Sequence, residues 1–85
     1  MSDPIETAIL DALAKVPAGK SIAPDIVARE LDAERWQRQL SKVRAVAIGL
    51  ARQGKVVILR HNKPADPDTF RGVWRMRLPA ADDAA

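Results

Sequence analysis

The longest amphipathic stretch of the chain is residues 35–53, RWQRQLSKVRAVAIGLARQ, where Trp36, Leu40, Val43, Ala47 and Leu50 recur in steps of four, three, four and three. At about 100° per residue these positions make one narrow apolar stripe, flanked by Val46 and Ala51, and the spacing predicts a single long helix. The opposite face carries Arg38, Ser41, Lys42, Ala45, Gly49 and Arg52. A solvated helix face more often mixes long side chains of both charges. Cations separated by small residues instead let a backbone come close to a grooved polyanion.

The elements around this helix follow from the same kind of pattern. Asp3-Pro4-Ile5-Glu6 opens a first helix: Asp3 can accept from the first-turn amides, Pro4 suits the first helical position, and Glu6 completes a box-like arrangement. Ile5, Ala8, Ile9, Ala12, Leu13 and Val16 form its stripe, and Pro17-Ala18-Gly19 stops it. Leu10 points off that stripe, towards a second packing surface or a partner. Lys20-Ser21-Ile22 reads as an edge strand of about three residues. Pro24 then starts a second helix, with Ile26, Val27 and Leu31 as its apolar contacts and Asp25 and Arg29 suited to its dipole. Asp32 is placed to cap the long helix after a tight turn. Short helix, turn, longer basic helix is the helix-turn-helix pattern.

Beyond the long helix, Gly54 suits a left-handed stop. Residues 55–60, KVVILR, are β-branched and too short for an independent helix, so they predict a strand. Gly72 opens a second strand, in which Trp74, Met76 and Leu78 alternate with Val73, Arg75 and Arg77, giving one buried and one basic, wet face. The intervening residues 61–71 exceed what a tight hairpin needs. Asp66-Pro67-Asp68-Thr69 suits a cap plus one helical turn, with Phe70 tethering it to the core. These residues predict an ordered wing. The whole predicts an α+β fold, a winged helix-turn-helix of three helices and a small antiparallel sheet with two main strands and a short edge strand. One domain spans residues 3–78, and residues 79–85, PAADDAA, read as a disordered tail.

Charge sharpens this picture. Residues 1–34 hold three Lys/Arg against seven Asp/Glu, and residues 35–78 hold eleven against Asp66 and Asp68 alone. The net charge of +3 therefore conceals a polarised chain, whose basic part is suited to an anionic partner. An absence of cysteine excludes a disulfide framework and a thiolate metal site. The start lacks the pattern of a secretion signal, and no apolar run approaches the roughly 20 residues that cross a bilayer. A soluble cytoplasmic protein is the expectation.

The candidate chemistry is that of binding. Arg35, Gln37, Arg38, Ser41 and Lys42 fall in the first half of the long helix, the part that enters a major groove in helix-turn-helix proteins. Arg38 suits bidentate reading of guanine, Lys42 and Arg35 suit phosphate, and Gln37 suits either. Arg60, Lys63 and Arg71, on or beside the wing, can reach flanking phosphates or a minor groove. Arg71 is equally suited to holding the wing turn through carbonyls or Asp66, and Arg75 and Arg77 to cross-strand pairing or solvent. Arg44, about 80° from the core stripe, is suited to bracing the fold through Asp25 or Glu30. His61 is a lone histidine without a second metal ligand at matching spacing, and Trp36 and Trp74 are spaced as packing anchors. No catalytic constellation is present, so neither an enzymatic activity nor a cofactor is expected. The expected partner is duplex DNA, bound by a monomer or weak homodimer. An acidic protein, anchored by Leu10 or the wing, is the alternative, and double-stranded RNA a third.

The runs Val43-Arg44-Ala45-Val46-Ala47, Gly54-Lys55-Val56, Lys63-Pro64-Ala65-Asp66-Pro67 and Arg71-Gly72-Val73-Trp74-Arg75-Met76 resemble a family of small bacterial winged-helix proteins of unknown function. Its signature across the wing is lysine- or arginine-proline, aspartate-proline, then arginine-glycine-x-x-arginine. The resemblance covers about residues 5–78 and implies a fold and a bacterial origin but no activity. Trp74, where a smaller aliphatic is common, and a shortened turn after Leu31 are departures from the pattern.

Overall fold

The computed structural model describes residues 3–17 and 19–79. In chain order they form α1 (Pro4–Ala14), α2 (Pro24–Leu31), a 3-10 helix (Trp36–Gln39), α3 (Leu40–Arg52), β1 (Val57–Arg60), β2 (Lys63–Pro64) and β3 (Arg75–Arg77). The expected tail lies, Pro79 apart, outside the described residues.

Asp3 caps α1, its Oδ1 accepting from the Ile5 amide at 2.7 Å, and Pro4 takes the first position, where its missing N–H costs nothing. The helix stops at Ala14, so Val16 of the expected stripe packs on the core from the segment that follows. Leu10 is half-buried and packs against the core, as the expected second packing surface would have it. In α2 the buried residues are Val27 and Ala28, while Ile26 is 43 % exposed, a correction to the expected apolar set. Val27 and Ala28 are about 100° apart on the helix, and both are buried because α2 packs on α1 and on α3.

The long helix is a composite. Asp32 Oδ1 accepts from the Glu34 and Arg35 amides at 3.1 Å each, which caps the turn ahead of the 3-10 helix and not α3 itself. Trp36–Gln39 is wound as 3-10, and α3 begins at Leu40 without a side-chain cap. Val43, Ala47 and Leu50 of α3 are at most 1 % exposed, and α1, α2 and β1 pack around them. Burying Val43 and Leu50 contributes about 1.5–3 kcal/mol each, and Ala47 lets the neighbouring elements come close between them, which makes this stripe the axis of the core.

The sheet order is β2-β1-β3, antiparallel throughout. The expected edge strand at residues 20–22 is reduced to one bridge, Ile22 exchanging both backbone hydrogen bonds with Met76 at 2.8 and 3.0 Å. The third strand comes from the wing. His61 (φ 53°) and Asn62 (φ 64°) form a two-residue turn that pairs Arg60 with Lys63, so the expected single long loop is a tight hairpin followed by a second segment. In that segment Asp66 Oδ1 accepts from the Asp68 amide at 2.8 Å, and the Asp66 carbonyl accepts from Thr69 and Phe70. Phe70 is buried there, as its tethering role requires. Trp74 and Met76 face the core, but Leu78 is 40 % exposed because the strand ends at Arg77.

Two glycines give opposite expectations. Gly72 has φ +81°, and a Cβ there would lie 3.2 Å from Arg60 Nη1, so Gly72→Ala should cost about 1–2 kcal/mol in a urea titration. Gly49 lies in α3 with no atom within 4 Å of an added Cβ, and Gly49→Ala should raise stability by about 0.5–1 kcal/mol.

Candidate nucleic-acid interface

The Asp32 turn orders the segment on which five of the candidate residues sit. Arg35 ends the turn, Gln37 and Arg38 lie on the 3-10 helix, and Ser41 and Lys42 occupy the first turn of α3. All five are exposed. The 3-10 winding changes their mutual placement, because residues three apart eclipse at about three residues per turn; the Arg38 amide donates to the Arg35 carbonyl at 3.0 Å. Trp36, between them, is half-buried with the Arg29 guanidinium 4.5 Å from its ring centre, which fastens the 3-10 helix to the last turn of α2.

On the wing, Arg60 and Lys63 are direct cross-strand partners. Neither has a carboxylate against it among the described residues. The Arg60 guanidinium donates to the Val73 carbonyl and lies across Gly72, closing the base of the wing. Lys63 and Arg71 are exposed. Arg71 is not engaged with Asp66, whose Oδ1 serves the Asp68 amide.

Ion pairs in the described residues form elsewhere: Lys15 with Glu30, Arg29 with Asp25, Arg52 with Asp68 and Lys55 with Glu6. Arg52 had been grouped with the outer basic face of the helix; its bond to Asp68 ties α3 to the wing turn. Arg44 does brace the fold, but not through Asp25 or Glu30. Its Nη2 donates to the Phe70 carbonyl at 2.9 Å and its guanidinium lies 4.4 Å from the Phe70 ring centre. Arg75 binds Ser21, Nε to Oγ at 2.7 Å and Nη2 to the carbonyl at 2.9 Å, and so joins β3 to the segment before α2.

A feature the residue pattern did not announce lies between these parts. A cleft of about 560 Å³ opens where the start of α2, the first turns of α3 and residues 72–75 meet. Pro24, Leu40, Val73 and Trp74 make it mostly apolar. The signal available beforehand was Val73, an aliphatic residue on the wet face of its strand, which is 83 % exposed.

Three helices followed by a small three-stranded antiparallel sheet give an α+β layout consistent with a winged helix. The chain belongs to DUF3253, a family described as protein of unknown function, which it matches over residues 2–79. Comparison with curated proteins returns no match. Among the described residues no helix is long and apolar enough to cross a membrane, and no group of three or more His, Asp or Glu could hold a metal ion.

The two classes of arginine separate by stability. Arg44→Met, which keeps the stem and removes the bond to Phe70 and the ring contact, should lower the unfolding free energy by about 1–2 kcal/mol. Arg35→Met should stay within about 0.5 kcal/mol of wild type, as exposed surface substitutions do. Urea midpoints at constant slope read both.

Proposed function

We propose that this chain is a non-enzymatic, duplex-DNA-binding winged helix of bacterial origin, acting in the cytoplasm as a monomeric transcriptional regulator or accessory factor. The segment 35–53 enters the major groove by its first half, with Arg35, Gln37, Arg38, Ser41 and Lys42 as contacts. The wing, residues 61–72 with Arg60 beside it, lies on flanking backbone through Arg60, Lys63 and Arg71. Lys63-Pro64, Asp66-Pro67 and Arg71-Gly72 act in this reading as the wing signature, whose prolines and turn chemistry stiffen the arm that carries the cations.

One observation carries the reading. The four ion pairs among the described residues involve Lys15, Arg29, Arg52 and Lys55, and none of the candidate cations. The candidate cations of the turn before α3 and of the wing are left without a carboxylate among the described residues, although Asp68 of the wing turn is paired with Arg52, and unpaired cations of this kind suit a phosphate-binding surface. The second reading, a module that binds an acidic protein, is favoured by the exposed Val73 beside the wing, Leu10 being half-buried against the core.

Fluorescence anisotropy with a mixed-sequence duplex separates these readings. If about five cations contact phosphate, log K should fall against log salt with a slope of about −4 to −5. Arg38→Ala with Lys42→Ala should weaken binding about tenfold or more and reduce the slope by about 1–2, at an unchanged melting temperature. A double variant that binds like the wild type removes the assignment of this helix. Amide shifts at Val73 that spare residues 35–42 on addition of an acidic protein would favour the protein-binding reading.

A further inference from the structure

We infer that the cleft between α2, α3 and β3 is a binding site for a small aromatic carboxylate. Its volume, about 560 Å³, falls in the range of small-molecule sites, and its composition matches theirs: apolar walls with a few polar groups. Leu40 and Pro24 stand on the helical side and Val73 and Trp74 on the sheet side. Trp74 is held in place by its contact with Phe70, ring centres 5.4 Å apart and planes tilted 58°.

The charge at the cleft identifies the acid. Arg44 and Arg75 both contribute to its wall. Each is fixed by neutral acceptors, Arg44 by the Phe70 carbonyl and Arg75 by the Ser21 hydroxyl and carbonyl. Neither forms an ion pair with a described carboxylate, and the one acid on the wall, Asp25, lies 3.8 Å from Arg29. Arg44 and Arg75, each held in place and neither matched by a described carboxylate, therefore line an apolar space. Guanidinium donors suit a planar carboxylate, and an aromatic ring suits the Leu40–Trp74 walls. A bare phosphate or a nucleic-acid backbone would leave those walls wet, so the cleft is not simply more of the basic face.

Ser41 belongs both to the wall and to the proposed groove-contacting turn of α3. An occupied cleft would therefore oppose duplex binding. This consequence rests on the DNA-binding reading, whereas the site itself does not.

The test uses naphthalene-2-carboxylate as probe, titrated into the full ¹⁵N-labelled chain, with naphthalene-2-carboxamide as the neutral control. Saturable shifts at Ser41, Val73 and Trp74 support the site, as does an affinity about fivefold or more above that of the carboxamide. Val73→Asp puts an anion at the wall on an exposed residue the core does not use. It should weaken the carboxylate about fivefold or more without moving the melting temperature, whereas Ile26→Asp on α2 should leave it unchanged. Shifts absent or scattered over the chain would overturn the inference, and so would equal binding of acid and amide. Cleft shifts that follow protein concentration alone would assign the surface to self-association and overturn it too. Displacement of bound duplex by the probe supports the overlap at Ser41, and simultaneous binding of both overturns that overlap while leaving the probe titration to decide the site.

Discussion

The wing is held to the helical part of the molecule chiefly through one residue. Phe70 is buried between the wing turn and the core, its ring lies against Trp74, and its carbonyl and ring both receive Arg44 of α3. A partly buried bond between a charged donor and a carbonyl contributes more than a surface ion pair, because the acceptor would otherwise be desolvated without a partner. The consequence is geometric. With Phe70 fixed, Asp66–Thr69 must close its turn beside the end of α3, where Arg52 meets Asp68. Residues 72–75 must then return along the first turns of α3, and the cleft between them is defined. The wing turn is thereby tied at two points, Phe70 and Asp68, to the helix that follows the 3-10 turn.

Arginine does two different jobs in this chain, and the partner decides which. Arg44, Arg60 and Arg75 spend guanidinium donors on backbone carbonyls or a serine, an interaction that fixes geometry but leaves the positive charge in place. Arg29, Arg52, Lys15 and Lys55 face carboxylates and lose most of their long-range field. Bracing through neutral acceptors stiffens the wing while keeping its surface basic. That combination differs from a fold stabilised by ion pairs, in which order would come at the expense of attraction for an anion.

Much of this was readable from residue type, and the failures share a cause. Asp3, Pro24, Asp66 and the alternation of Trp74 and Met76 act through local chemistry, and each does what its type dictates. The 3-10 winding of Trp36–Gln39 was hidden because four residues are too few for the two helical periods to diverge in an apolar pattern. The hairpin was hidden because His61 and Asn62 both take positive φ without a glycine to signal it. Arg44 was rightly expected to brace the fold, but the sought partner was an acid. A backbone carbonyl is present at every residue, so no motif distinguishes Phe70 as the acceptor. The cleft escaped for the related reason that its walls come from three segments distant in sequence.

The same distinction bears on how the candidate surface can be read. A basic patch on a small domain is weak grounds for nucleic-acid binding when its cations are simply solvated, since charge also serves solubility. Here Arg60 is paired with Lys63 in the hairpin register, but its guanidinium turns across Gly72 to the Val73 carbonyl and is held there. A hairpin serving only to close the sheet could place an acid at either position and gain from it. The Arg60 charge is held by a neutral acceptor with no carboxylate against it among the described residues, so it is fixed in place and not merely solvated.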